Sequence, residues 1–141
     1  MPNHKIMIVE DEEIVAADIQ TSIESMGYAV CAMASSGGEA IEKAGLTRPD
    51  LVLMDIVLKG SMDGIEAATR IKELYKIPVV YLTAFGDDSI LQRAKVAEPY
   101  GYITKPFSQR ELQIAVEISI YKKQAEAKVS KMERWLATVL K

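Results

Sequence analysis

Four places in this sequence end a short apolar run on a side chain that can handle charge. They are Glu10-Asp11 after KIMIV, Asp55 after LVLM, Thr83 after VVYL, and Lys105 after Tyr100–Thr104. Carboxylates gathered in one cleft repel one another, so Glu10, Asp11 and Asp55 together require a cation. With hard oxygen donors and hardly any His or Cys in the chain, that cation is Mg²⁺ or Mn²⁺. An ammonium from Lys105 and a hydroxyl from Thr83 opposing the cluster suit a phosphoryl group. They and a metal neutralise its oxygens while an Asp carboxylate attacks phosphorus in line, with no separate base needed. Each residue alone has a plainer use: Glu10 to Glu13 favour a helix N-terminus, Thr83 can serve a turn, and Lys105 can be a solvated amine. Asp55 resists such a reading, because it closes an apolar strand, is followed by Ile56-Val57-Leu58, and has no helix to cap. The set of exits is specific where its members are not.

The elements that must position these residues alternate. Lys5–Val9 is a short β-branched run, and Glu12–Met26 carries Ile14, Ala17, Ile19 and Ile23 at near-helical spacing up to Gly27. Tyr28–Ala34 reads as a strand, Ser35-Ser36-Gly37 caps a helix to about Leu46, and Leu51–Met54 is apolar throughout, like a strand covered on both faces. Gly64–Tyr75 is helical, Val79–Leu82 a strand, Ser89–Ala97 a shorter helix and Tyr100–Thr104 a fifth strand. Ser108 with Glu111 forms a capping box for the last helix. Five strands alternating with five helices predict an α/β, flavodoxin-like parallel sheet of order 2-1-3-4-5 with helices on both faces. In that order the first and third strands are neighbours, and ligands collect at the strands' carboxyl ends.

Composition narrows the chemistry further. The 141 residues suit one compact domain, and 17 Lys and Arg against 20 Asp and Glu leave a net charge of −3, which gives little attraction for nucleic acid. One Cys (Cys31) and one His (His4) exclude a disulfide and a Cys/His zinc site. His4 precedes the first strand with no helix around it, so phosphohistidine chemistry has to come from another protein. Apolar runs are too short for a membrane span and the start turns acidic after ten residues, so a cytoplasmic protein with no membrane partner is expected.

At this point the residues resemble the receiver domains of two-component response regulators. The resemblance covers about Lys5 to Lys122 and rests on IMIVEDE, LVLMDIVL, MDGIEA, VVYLTA and GYITKPF, in order and at the right spacing. It implies that Asp55 is the phosphoacceptor and that Glu10 and Asp11, with Asp55 and the backbone carbonyl of Val57, hold Mg²⁺. It further implies that Thr83 and Lys105 bind phosphoryl oxygens, that the Lys105-Pro106 bond is cis, and that Tyr102 is the switch aromatic. The partner implied is a sensor histidine kinase or phosphotransfer protein, with the chain catalysing its own phosphorylation and dephosphorylation. Departures matter too. The loop from Asp55 to Gly64 is one residue longer than usual, with Lys59 where the family has Pro, and Glu10 replaces Asp. Val57 and Phe85 flank the site with apolar groups that cannot orient an attacking water, so slow self-dephosphorylation is expected. Three rival readings stand beside this one. A Mg²⁺-dependent aspartyl-phosphate phosphohydrolase lacks a second acid at Val57. A flavin carrier would have its phosphate repelled by Glu10 to Glu13. A non-phosphorylated dimerisation module leaves the complete set of site residues without a use.

Beyond the receiver (1–122), residues 123–141 have no Gly or Pro and favour helix, so the last helix is expected to run on. Ile114, Ile118, Tyr121, Ala125, Lys128, Met132, Trp135 and Val139 follow the 4,3 spacing of a coiled-coil seam. The first of these are expected to pack on the sheet. From Ala125 onward a partner helix, or a fold-back onto the domain, must cover the seam. The expected partners are a second copy, through the last helix or through the face formed by the helix at Ser89–Ala97, the fifth strand and the last helix. A missing downstream PAS or kinase domain is also expected, since MERWLATVLK resembles helices leading into PAS domains. The chain then reads as the N-terminal part of a longer sensor kinase or regulator.

Overall fold

The computed structural model describes residues 4–84, 92 and 100–140. Strands β1 (Lys5–Val9), β2 (Ala29–Ala34), β3 (Leu51–Asp55), β4 (Val79–Ala84) and β5 (Gly101–Lys105) form one sheet of order β2-β1-β3-β4-β5 with every pairing parallel. The helices are α1 (Glu13–Ser25), α2 (Gly37–Thr47), α3 (Gly64–Tyr75) and α4 (Gln109–Val139). The expected helix at Ser89–Ala97 and the expected site flank Phe85 lie outside the described residues.

Alternation along the strands builds two cores. Met7, Val9, Val52 and Met54 face Ala40 and Ala44 of α2 and Ile65, Ala68 and Ile71 of α3. Ile6, Ile8, Leu51 and Leu53 face Ile19 and Ile23 of α1 and Leu112, Val116 and Ile120 of α4. The apolar run Leu51–Met54 of β3 is buried, as a strand covered on both faces requires, and Asp55 at its end is buried with it. Helix starts are fixed by side chains. Ser36 accepts from the Glu39 amide at 3.2 Å, Asp63 from Glu66 at 2.9 Å, and Ser108 with Glu111 completes the capping box. Gly27, at φ 92°, closes α1 as expected, whereas α2 and α3 end on left-handed Arg48 and Lys76 (φ 48° and 59°), which their residue types do not announce.

The last helix runs unbroken for 31 residues, but the face it buries differs from the one expected. Leu112, Val116, Ser119 and Ile120 pack on the sheet, while Ile114, Ile118 and Tyr121 are exposed. Two stripes at helical spacing share this helix, and the one that packs on the sheet is Leu112, Val116, Ser119 and Ile120. Beyond the domain edge, Lys123 donates to the Lys76 carbonyl at 3.0 Å and the Tyr100 hydroxyl donates to Glu126. Lys122 lies 4.5 Å over the Tyr100 ring. Burial, with Glu126 alongside, pushes the Tyr100 phenol pKa up.

Gly64 is where the fold meets the site. A Cβ there would run into the Asp55 carbonyl oxygen and come within 2.8 Å of the Ile56 Cα. The Gly64 amide donates to the Ile56 carbonyl at 2.8 Å, so α3 begins hard against the end of β3. Gly64→Ala should therefore cost about 3 kcal/mol, the upper range for forced overpacking, read as a lowered urea midpoint at unchanged slope.

Candidate functional site

The parallel register brings the strand exits together. Val9 pairs with Met54, Asp55 with Leu82, and Ala84 with Lys105, so Glu10, Asp55, Thr83 and Lys105 leave the sheet at one end. Glu10, Asp55 and Thr83 are buried, and Asp11 is half-buried. Glu10, Asp11 and Asp55 each offer an oxygen, and these oxygens lie within 4.8 Å of one another. The Lys105 ammonium bridges two of them, 2.7 Å from Glu10 Oε1 and 3.0 Å from Asp55 Oδ2. Burial on its own pulls the Lys105 pKa down, but the hydrogen bonds and charges of Glu10 and Asp55 outweigh it and leave the pKa above its ordinary value.

The other oxygen of Asp55 is engaged as well. Asp55 Oδ1 accepts the Val57 amide at 3.1 Å, a local bond that the expectation of an Asp with nothing to cap overlooked. It holds the Val57 backbone beside the carboxylate and turns the Val57 side chain outward, 60% exposed. The Thr83 hydroxyl donates to the Ala84 carbonyl at 3.4 Å, a long bond that is easily given up. Tyr102 is exposed on β5, in register with buried Tyr81. The Lys105-Pro106 bond is cis, as expected.

The longer loop after β3 has its own anchor. Lys59 forms a parallel bridge with Ser36, just past β2, which lays the loop across the second strand exit. Exposed Lys59 borders an open groove of about 370 Å³ that Glu10 and Asp11 also line. The sequence marks this place only by a loop one residue longer than usual, with Lys59 where the family has Pro. Chemically, the cluster is a set of hard oxygen donors with one ammonium already in place, which fits a small divalent cation of the Mg²⁺ kind and a phosphoryl group next to it. Among the described residues no helix is long and apolar enough to cross a membrane.

A family model for the response regulator receiver domain matches residues 6–117. The chain is 37% identical over 116 residues to the transcriptional regulatory protein PdtaR of Mycobacterium tuberculosis, covering 82% of this chain and 56% of that protein. Among solved structures, the signal receiver domain of a modulated diguanylate cyclase from Desulfovibrio desulfuricans G20 superposes with TM-score 0.84 at 37% identity, covering 89% of this chain and 99% of that one. A yeast Spc42 trimeric coiled-coil segment fused to another solved structure matches with TM-score 0.83 at 32% identity, covering 99% of this chain and 95% of that one. The chain spans about half the length of the curated relatives it matches.

Removing the Lys105 ammonium leaves two buried carboxylates facing each other. Lys105→Met should lower stability at pH 7 by about 2 kcal/mol, less than the roughly 3–5 kcal/mol of a fully buried broken pair because Lys105 is partly exposed. Millimolar Mg²⁺ should restore most of the loss in chemical denaturation. Since the folded pKa of Lys105 is raised, its contribution is complete below the ordinary 10.5 and disappears only as pH climbs through the higher folded value.

Proposed function

The chain belongs to the response regulator receiver domain family, and from that premise we propose that it is a phosphoaccepting switch of a two-component relay. It takes a phosphoryl group from the phosphohistidine of a partner kinase or phosphotransfer protein onto Asp55. The observation that carries this reading is one ammonium, Lys105, set between two buried carboxylates that arrive from different strands. An oxygen of Asp55 forms the new bond to phosphorus while the bond from phosphorus to the imidazole nitrogen breaks, and the imidazole keeps that electron pair. His4 is not the donor, because it lies at the far end of β1, 3.8 Å from Asp50.

Each residue then has a part. Glu10, Asp11, Asp55 and the Val57 backbone carbonyl hold Mg²⁺, or Mn²⁺ in its place, which when bound neutralises phosphoryl oxygens and lets an anionic donor approach the acidic cleft. Lys105 exchanges a carboxylate oxygen for a phosphoryl oxygen. Thr83 gives up its long bond to Ala84 and donates to the same group, and Tyr102 turns inward as the end of β4 shifts. The added charge thus biases the surface around β5 and α4 between two arrangements.

That surface, or the last helix, is where a second copy engages. Residues 1–122 act as the receiver in the cytoplasm, and 123–141 form a helical extension towards a downstream PAS or kinase domain. Exposed, apolar Val57 offers nothing to orient a water, so the acyl phosphate turns over slowly.

Incubation with acetyl phosphate and Mg²⁺ should give a single phosphoryl adduct in the mass spectrum, lost in Asp55→Asn. Its lifetime should be minutes or longer, and Val57→Glu should shorten it several-fold. No adduct, or a wild-type lifetime of seconds, contradicts the corresponding part of the reading.

A further inference from the structure

We propose that α4 is one strand of a parallel, two-stranded coiled coil with a second copy of this chain, along a seam from Ile114 to Val139. The proposal deepens the self-association named above and does not depend on phosphorylation at Asp55. It starts from where the seam lies. At roughly 100° per residue, Ile114, Ile118, Tyr121 and Ala125 fall on the side of the helix opposite Val116 and Ile120, which hold it to the sheet. The domain therefore occupies one flank of the helix and leaves the other open. Ile114 is 45% exposed, Ile118 59% and Tyr121 74%, and every side chain from Glu126 to Leu140 is exposed.

The seam is thus continuous over the domain and its extension, ~37 Å or about three and a half heptads. That length is enough to specify a coil. A projecting helix with no tertiary partner, by contrast, is marginal at the length that leaves this domain.

The flanking charges select the orientation. In the heptad frame, Ile118, Ala125, Met132 and Val139 take one core position and Ile114, Tyr121, Lys128 and Trp135 the other. Glu117 then precedes one seam residue and Lys122 follows another, the two flank positions that meet across a parallel pair. Glu117 of one copy faces Lys122 of its partner, twice by symmetry. In a full antiparallel overlap Glu117 would meet Thr138 and Lys122 would meet Val129, so beyond their contacts within one copy, with Gln113 and the Tyr100 ring, neither would gain an opposite charge across the pair.

Lys128 selects the number of strands. In a two-stranded coil its stem covers the seam while the ammonium reaches water, whereas a third helix would enclose three ammonium groups. Because α4 starts at the strand exits and runs back past Lys76, the coil leaves from the end away from Asp55. Both phosphoacceptor clefts of the dimer would face the same way.

Sedimentation equilibrium of the 141-residue chain should give about twice the 15.6 kDa of one copy. Ile118→Asp with Trp135→Asp should give a monomer whose Asp55 adduct still forms, which separates loss of the coil from loss of the domain. Glu117→Lys should weaken the dimer several-fold, and adding Lys122→Glu should recover it. In a Cys31→Ser background, Val139→Cys should form a disulfide between copies on mild oxidation, since only a parallel pair brings those positions together. A monomeric or trimeric wild type, a dimer that survives the double Asp variant, or no Val139→Cys disulfide overturns the proposal.

Discussion

Two carboxylates, Glu10 and Asp55, are buried side by side at the ends of adjacent strands, and that pairing is the constraint on which the rest of the structure depends. An isolated charge in such a place costs several kcal/mol, and two of like sign cost more. Lys105 answers both, at 2.7 and 3.0 Å, from β5, two places from β3 and three from β1 in the sheet. Sheet order and charge balance are therefore one arrangement. The ammonium reaches the carboxylates only if β4 lies between β3 and β5, with their ends level.

The surrounding fold holds those ends level. Apolar side chains on both faces of β1, β3 and β4 fix the register, because a slip of one residue would turn Asp55 into a core and an apolar neighbour into the cleft. Gly64 lets α3 start against the Asp55 carbonyl, and the Val57 amide fixes one oxygen of the carboxylate. What remains free to change is small and local: the long Thr83 bond, the exposed Tyr102 ring, and the oxygen that Lys105 holds. A site rigid in its carboxylates and loose in its hydroxyl and aromatic partners has the mechanical form of a switch.

Much of this was legible in the residues, for physical reasons. Apolar runs ended by Glu10, Asp55 and Lys105 mark strand exits whatever the tertiary detail, and the side-chain caps at Ser36 and Ser108 act within one turn. Features set by distant neighbours were not legible. Arg48 and Lys76 adopt left-handed caps that carry no residue signature, and the bridge from Lys59 to Ser36 joins two loops far apart in sequence. The last helix was misread where two apolar stripes compete. Ile114, Ile118 and Tyr121 continue the 4,3 spacing of the residues beyond the domain, so that spacing suggested they face the sheet, whereas Leu112, Val116, Ser119 and Ile120 do.

The central claim is that Glu10, Asp11, Asp55 and Lys105 form one charge-balanced site, in which the ammonium and a divalent cation share the same carboxylates. Calorimetric titration with Mg²⁺ tests it most directly. The account predicts binding that weakens at least about tenfold, or 1.4 kcal/mol, in Asp11→Asn and in Asp55→Asn. It also predicts tighter binding in Lys105→Met, where a competing positive charge is gone. Affinity indifferent to the two carboxylates, or weakened by loss of Lys105, would contradict it.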